Sequence, residues 1–422
     1  MFKKFLPVIA LTFVNVIGFS ILIPVLPQVT EQYISSDFSA PVYGALIAAY
    51  SLFQFLGSPV LGSLSDKYGR KPLLILSQLG TTLSWVIFAV AYFLPNVQLW
   101  TISLPIIVIA ISRIVDGITG GNISVAQAWV SDVTSPKEKT KAFGLLGAVF
   151  GLAFLFGPAI GGFSSSTSIG YLGTCIVAFL ISLVTLALIL FYLPESLPEE
   201  KRDKELDIHL FKEINIFHKI KVFDGNQFVL SLLAIRLGFA LVLGGFFIMI
   251  ILYMREGFGL TTTGLGLTMS LIGTFSIFNQ AFLVGKLSKR FGDLNTFYFS
   301  LSCFFVSLLT LPLIPTGIVL GPISVSYLLM LANAYIINCG ISFGMPTFKS
   351  ILANNVSEKR QGLATGIDES LLALGNSVTP ILAGVLYSAI GINTFYAFAV
   401  VLGLPFLYVF AETGTFLVRP QR

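Results

Sequence analysis

Apolar residues gather along the chain into twelve long runs separated by short polar connections. The first six cover approximately Phe5–Pro27, Val42–Leu61, Pro72–Leu94, Trp100–Val130, Ala142–Phe163 and Ile169–Leu193. After a polar stretch the rest follow at Phe228–Met254, Gly264–Val284, Leu294–Ile314, Ile323–Leu352, Gly362–Ile390 and Ile392–Ala411. A helix needs about 20 mostly apolar residues to cross a bilayer, so the pattern predicts twelve transmembrane helices. Lys3 and Lys4 precede the first run as they would in a signal sequence. That run is too long for one, however, and ends in Pro24-Val-Leu-Pro27 without a small-residue cleavage pattern, so it reads as a retained helix.

Composition agrees with this reading. The chain is 55% hydrophobic and 11% charged, with a mean hydropathy of +0.90, against about 25% charged residues in ordinary soluble domains. A soluble globule is excluded. The two termini and alternate loops carry 22 of the 25 Lys and Arg residues, and the opposite loops carry Arg255. Cytoplasmic connections are enriched in these residues. Both termini are therefore expected in the cytoplasm, in the plasma (inner) membrane.

The net charge of +5 sits in short loops and not on one folded face, so no nucleic-acid partner is expected. Cys175, Cys303 and Cys339 are scattered through apolar runs and read as packing residues. The two histidines, His209 and His218, lie in the most hydrophilic stretch, which leaves no histidine-built metal site in the membrane. No Gly-rich phosphate loop followed by Lys-Ser/Thr is present, so ATP drive is unsupported. No cofactor and no enzyme chemistry are expected.

The chain repeats itself. Gly62-Ser-Leu-Ser-Asp-Lys-Tyr-Gly69-Arg-Lys after the second run returns as Gly285-Lys-Leu-Ser-Lys-Arg-Phe-Gly292-Asp-Leu after the eighth. Ala142, Gly144, Pro158 and Gly162 return as Ala364, Gly366, Pro380 and Gly384. The expected fold is therefore an all-α polytopic membrane protein of two pseudo-symmetric six-helix bundles. Residues 1–193 form the first, 228–422 the second, and 194–227 a cytoplasmic linker. Leu206, Leu210, Phe211, Ile214 and Phe217 give that linker the spacing of an amphipathic helix on the membrane surface. In transporters built from parallel repeats the substrate path lies between the halves near the midplane.

On these residues the chain resembles a major facilitator superfamily transporter of the drug/proton antiporter type, similar to tetracycline-efflux members that confer antibiotic resistance. Gly62 to Arg70 is similar to the family's cytoplasmic loop signature, Arg113 with Gly117 to its fourth-helix signature, and Gly151 with Gly157, Pro158, Gly161 and Gly162 to its fifth-helix antiporter signature. Asn15 to Pro27 resembles the first-helix pattern. The resemblance implies that Gly62, Asp66, Gly69, Arg70 and Asp132 form a conformational latch, with Asp66 docking near the start of the eleventh helix and Arg70 pairing with Asp132. It also implies that the fifth-helix bend accompanies antiport. The sequence departs from the tetracycline exporters at two positions, carrying Asn15 and Ser84 where they carry acids.

Ionisable groups inside spans cost roughly 3 kcal/mol each near the membrane centre, which makes them functional candidates. Five stand out: Arg113 and Asp116 in the fourth span, Arg236 in the seventh, and Asp368 and Glu369 in the eleventh. Arg113 and Asp116 share a helix face. Asp368 and Arg236 lie at similar depths, which makes a buried pair across their helices plausible, while Asp368 and Glu369 point about 100° apart. Arg113, Asp116, Asp368 and Glu369 are the proton-coupling candidates. Asn15, Phe19, Gln54, Asn279 and Asn338 are the candidates for a substrate cavity. The function expected is proton-coupled efflux of small lipophilic or amphipathic compounds by a monomer in the lipid bilayer, through alternating access. The alternatives are a carrier of a polar metabolite, such as a sugar or organic anion, and an uncoupled facilitator.

Overall fold

The computed structural model describes residues 2–99, 102–134, 136–202, 220–223, 225–320, 323–357 and 360–413. The predicted amphipathic segment from Leu206 to Phe217 and both histidines lie outside these residues. Among the described residues, nine helical stretches are long and apolar enough to cross a membrane, and one of them, Leu363–Pro405, contains two helices. With the shorter apolar stretches Leu6–Ser20 and Gly151–Ser165, the described residues account for all twelve predicted spans. The protein is an all-α, multi-pass integral membrane protein.

The chain divides into two compact units, residues 1–214 with 260–273 and residues 215–259 with 274–422. In the first unit the helices are α1 (Phe2–Ser20), α2 (Leu26–Tyr33), α3 (Ser36–Tyr68), α4 (Arg70–Phe93), α5 (Leu104–Gly120), α6 (Ile123–Val133), α7 (Pro136–Ser165) and α8 (Tyr171–Tyr192). Further along the chain come α9 (Gln227–Phe258), α10 (Thr262–Phe278), whose residues up to Gly273 belong to the first unit, α11 (Val284–Phe291), α12 (Asp293–Thr310), α13 (Val325–Asn354), α14 (Gln361–Ile390) and α15 (Thr394–Thr413).

Three predicted spans are interrupted, each for a local reason. The first was expected to run to Pro27, but α1 stops at Ser20 and turns carry the chain to α2. Pro24 lacks the N–H that would bond the Ser20 carbonyl, which accepts instead from Ile23 at 3.3 Å. The fourth breaks at Gly121-Asn122 between α5 and α6, where a side chain on Gly121 would collide with the backbone of Gly57 and Ser58. The eighth contains a π turn at Asn279–Leu283 between α10 and α11. Such turns insert extra backbone into a helix and are common at functional sites.

The sequence repeat is also a backbone repeat. A two-residue hairpin pairs Gln98–Leu99 with Ile102–Ser103, and another pairs Val319–Leu320 with Ile323–Ser324 in the same register. Gly69 (φ 97°, ψ 157°) and Gly292 (φ 82°, ψ 157°) each sit between two helices in a conformation that side chains disfavour. Gly170 (φ 55°, ψ −137°) and Gly391 (φ 55°, ψ −134°) match in the same way.

Candidate functional site

The fourth span carries a buried ion pair. Arg113 and Asp116, three residues apart on α5, bring Nη1 and Oδ2 to 3.2 Å with both side chains almost wholly buried. The guanidinium lies over the rings of Trp85 and Phe88 on α4, 5.3 and 5.5 Å from their centroids. These rings supply a negative π face to a desolvated cation. Thr81 and Ser84 hydroxyls lie beside the Asp116 carboxylate. The pair is close but poorly aligned, for Arg113 Nε and Asp116 Oδ2 make no hydrogen bond.

The second unit holds another such pair. Arg236 on α9 donates from Nε to Asp368 Oδ1 on α14 at 2.5 Å, both side chains being buried. Arg236 also stands between aromatic rings, 5.4 Å from the Phe239 centroid and 5.2 Å from that of Phe348. Lys349 on α13 completes the cluster, with Nζ 3.8 Å from Asp368 Oδ2 and 2.7 Å from Glu369 Oε1. Asp368 and Glu369 diverge by a helical step, yet the long Lys349 side chain serves both.

At the loop between α3 and α4, Arg70 reaches Asp66 Oδ1 at 2.6 Å, Asp132 Oδ2 at 3.2 Å and Ser65 Oγ at 2.6 Å. Asp66 is 44% exposed, which leaves it open to further partners. Glu195 accepts from the Arg70 and Lys71 amides at 2.9 and 3.1 Å. It thereby places a carboxylate on the N-terminus of α4, where unpaired amides favour negative charge. The corresponding corner of the second unit keeps its geometry with other chemistry. Asp293 there opens α12 and accepts from Ser288 and Ser350.

The fifth-span glycines face the broken first helix. A side chain on Gly157 would strike Ser20, and one on Gly161 would strike the Ile21 carbonyl. Ser20 Oγ also donates to the Ala153 carbonyl at 3.1 Å. Gly162 and the Pro158 carbonyl lie against Thr263 and Gly266 of α10, whose first residues belong to the same compact unit. Gly151 is half-buried on α7, and Gly62 has open space around it.

The candidate amides fall into three hydrogen-bonded groups, and Phe19 makes ring contacts. Asn15 donates to Asn122 Oδ1 at 2.5 Å, and Asn122 to Ser77. Gln54 donates to Tyr50 Oη at 3.1 Å and to the Gly120 carbonyl at 3.0 Å, and Phe19 packs against Tyr50 and Phe154. In the second unit Asn279, at the π turn, donates to Asn338 Oδ1 at 3.0 Å and accepts from Tyr335. These amides bridge helices as well as presenting polar atoms at membrane depth. An apolar groove of about 340 Å³ between α1 and α8, lined by Phe13, Val14 and Leu188 among others, contains none of them.

The family model described as Major Facilitator Superfamily matches residues 8–348. The chain belongs to this superfamily. It is 28% identical to the class H tetracycline resistance protein of Pasteurella multocida over 394 residues, covering 92% of this chain and 89% of that protein. It is 26% identical to multidrug resistance protein 2 of Bacillus subtilis, covering 95% and 93%. The crystal structure of the human organic anion transporter MFSD10 is similar in fold, with a TM-score of 0.70 at 21% identity, covering 96% of this chain and 99% of that one.

As a superfamily member, the chain is a transporter in kind, built to carry a small molecule across a bilayer. Two residues of its polar clusters escaped the sequence reading. Lys349 stands near the end of the tenth apolar run and counts among the loop positives, although α13 brings it beside Asp368. Glu195 follows the sixth run in Pro194-Glu-Ser-Leu-Pro198, and its two-proline frame was the available signal for a fixed turn. Ser84 lies beside Asp116.

Proposed function

We propose that the chain is a secondary active exporter of small lipophilic or amphipathic compounds, driven by proton entry through alternating access. The observation that carries this reading is the Arg113–Asp116 pair. The pair sets a carboxylate beside a guanidinium in a buried site, with one Asp116 oxygen that makes no hydrogen bond and that either Arg113 or a proton can serve. Movement of Arg113 away from Asp116 leaves that oxygen to a proton. Asp368 and Glu369 form a second, rival proton site. With Ser84 beside Asp116, the acid that the third span lacks has a substitute on the neighbouring helix.

The names of the tetracycline and multidrug resistance relatives support a drug-like substrate class. Asn15 and Ser84, replacing two acids of the tetracycline exporters, argue for a substrate other than tetracycline. Gly62, Asp66, Gly69, Arg70 and Asp132 serve as the conformational latch. The fifth-span glycines Gly151, Gly157, Gly161 and Gly162 with Pro158 seal the packing against the bent first helix. Asn15, Phe19, Gln54, Asn279 and Asn338 offer polar and aromatic contacts to the substrate. The working protein is a monomer in the plasma (inner) membrane with both termini in the cytoplasm.

Proteoliposomes under an imposed pH gradient test this reading. Substrate-dependent proton release from the lumen is expected for the parent protein and falls to background in Asp116→Asn. Transport indifferent to the gradient overturns coupling, and transport of organic anions or sugars in place of lipophilic compounds favours the polar-metabolite carrier.

A further inference from the structure

The eighth span ends in a stripe of aromatic and cationic side chains to which the transport reading gives no task. Phe278 closes α10, Phe282 lies in the π turn, and Lys286 and Arg290 follow on α11. These four positions form one i, i+4 row. Such a row drifts by about 40° around an ordinary helix at each step, because a turn holds 3.6 residues. The π turn takes in extra backbone and offsets that drift. Phe278 and Phe282 are about half exposed with ring centroids 5.4 Å apart, while Asn279 between them is buried against α13. Lys286, Lys289 and Arg290 are exposed, and no residue of α11 is buried.

Charge separates this corner from its repeat. At the corner of the first unit, Asp66, Asp132 and Glu195 balance Lys67, Arg70 and Lys71, and Arg70 pairs with two of those acids. With the repeats aligned on Gly62 and Gly285, Lys286 and Lys289 stand where the first unit has Ser63 and Asp66. Asp293, which opens α12, is engaged by Ser288 and Ser350. Among the described residues Lys286, Lys289 and Arg290 form no ion pair, and Arg290 lies over the Phe291 ring, 5.3 Å from its centroid. The duplication has thus left one corner neutral and the other with cations that no carboxylate answers.

We propose that this stripe binds one anionic phospholipid of the surrounding bilayer, its phosphate held by Lys286, Lys289 and Arg290 and an acyl chain laid along Phe282 and Phe278. The order of the side chains fits the order of the lipid's parts, with cations where the span leaves the hydrocarbon and bare aromatic rings one and two turns further in. Each Lys or Arg near an anionic lipid surface is worth about a fivefold gain in affinity. A lipid seated there braces the π turn from outside, while Asn338 of α13 holds Asn279 from within. The proposal stands whether or not transport is coupled to protons.

Native mass spectrometry of the delipidated full-length protein in detergent tests the proposal, with dioleoylphosphatidylglycerol as the anionic probe and dioleoylphosphatidylcholine as the neutral control. One phosphatidylglycerol is expected to bind more tightly than the next and more tightly than phosphatidylcholine. Lys286→Gln/Arg290→Gln is expected to weaken that first site about 25-fold, two cations at about fivefold each, and to leave phosphatidylcholine unchanged. Lys67→Gln/Lys71→Gln, which removes the same charge from the balanced corner, is expected to leave the first phosphatidylglycerol in place. Phe278→Ala/Phe282→Ala is expected to weaken it severalfold while the cations remain. No preference for phosphatidylglycerol, equal losses in the two charge variants, unaltered binding in the phenylalanine variant, or displacement of the lipid by inorganic phosphate overturns the proposal.

Discussion

Each unit buries an arginine against an aspartate and flanks it with two aromatic rings, but the pairs differ in what joins them. Arg113 and Asp116 sit three apart on one helix, which sets their side chains next to one another instead of end to end. Their charges are 3.2 Å apart, with atoms on both sides left without hydrogen bonds. Arg236 and Asp368 come from α9 and α14 and meet head-on at 2.5 Å. A helix spacing fixes how two neighbours approach, whereas two packed helices leave the approach to side-chain choice. The first pair thus holds together charges of a single helix, and the second fastens one helix to another.

The largest expected effect separates the pairs by stability. Asp368→Asn strands Arg236 and is expected to lower stability by about 3–5 kcal/mol, read as thermal unfolding in detergent. Replacing both partners by leucine should recover most of that loss. If Asp368→Asn is as stable as the parent, the fastening role of this pair is wrong. Asp116→Asn also strands an arginine but should cost less, about 1–3 kcal/mol, because the contact it breaks is longer, 3.2 Å against 2.5 Å. Equal losses at the two aspartates would erase the distinction. The smallest effect concerns the rings. Trp85→Leu and Phe348→Leu each remove one cation–π partner, worth about 0.5–2 kcal/mol. The Trp85 change is expected to disturb substrate-dependent proton movement more than Phe348→Leu does, and the same liposome assay reads both.

Much of this was legible in the residues. Runs of apolar side chains announced the twelve spans, because a bilayer allows few other structures. The glycine-bearing loops disclosed the duplication, for Gly69 and Gly292 occupy a backbone region that few other residues enter. The depth argument for Arg236 and Asp368 matched the pair that forms, and helix spacing alone indicated Arg113 with Asp116. Helix breaks were harder to read. Gly121-Asn122 and the π turn at Asn279 lie inside runs that stay apolar on average, and hydropathy does not register a change in backbone path. Lys349 was hidden by position, since a lysine near the end of a span has the same composition whether it faces water or a buried aspartate.

The cap that Glu195 places on α4 links residues more than a hundred positions apart within one unit. Arg202 reaches back to the Leu197 carbonyl at 3.3 Å and so holds the turn that presents this carboxylate. Any scheme that encodes the protein as two separate polypeptides must therefore divide it after Arg202. A division before Glu195 would leave the amino-terminal piece with a third span frayed at its first turn.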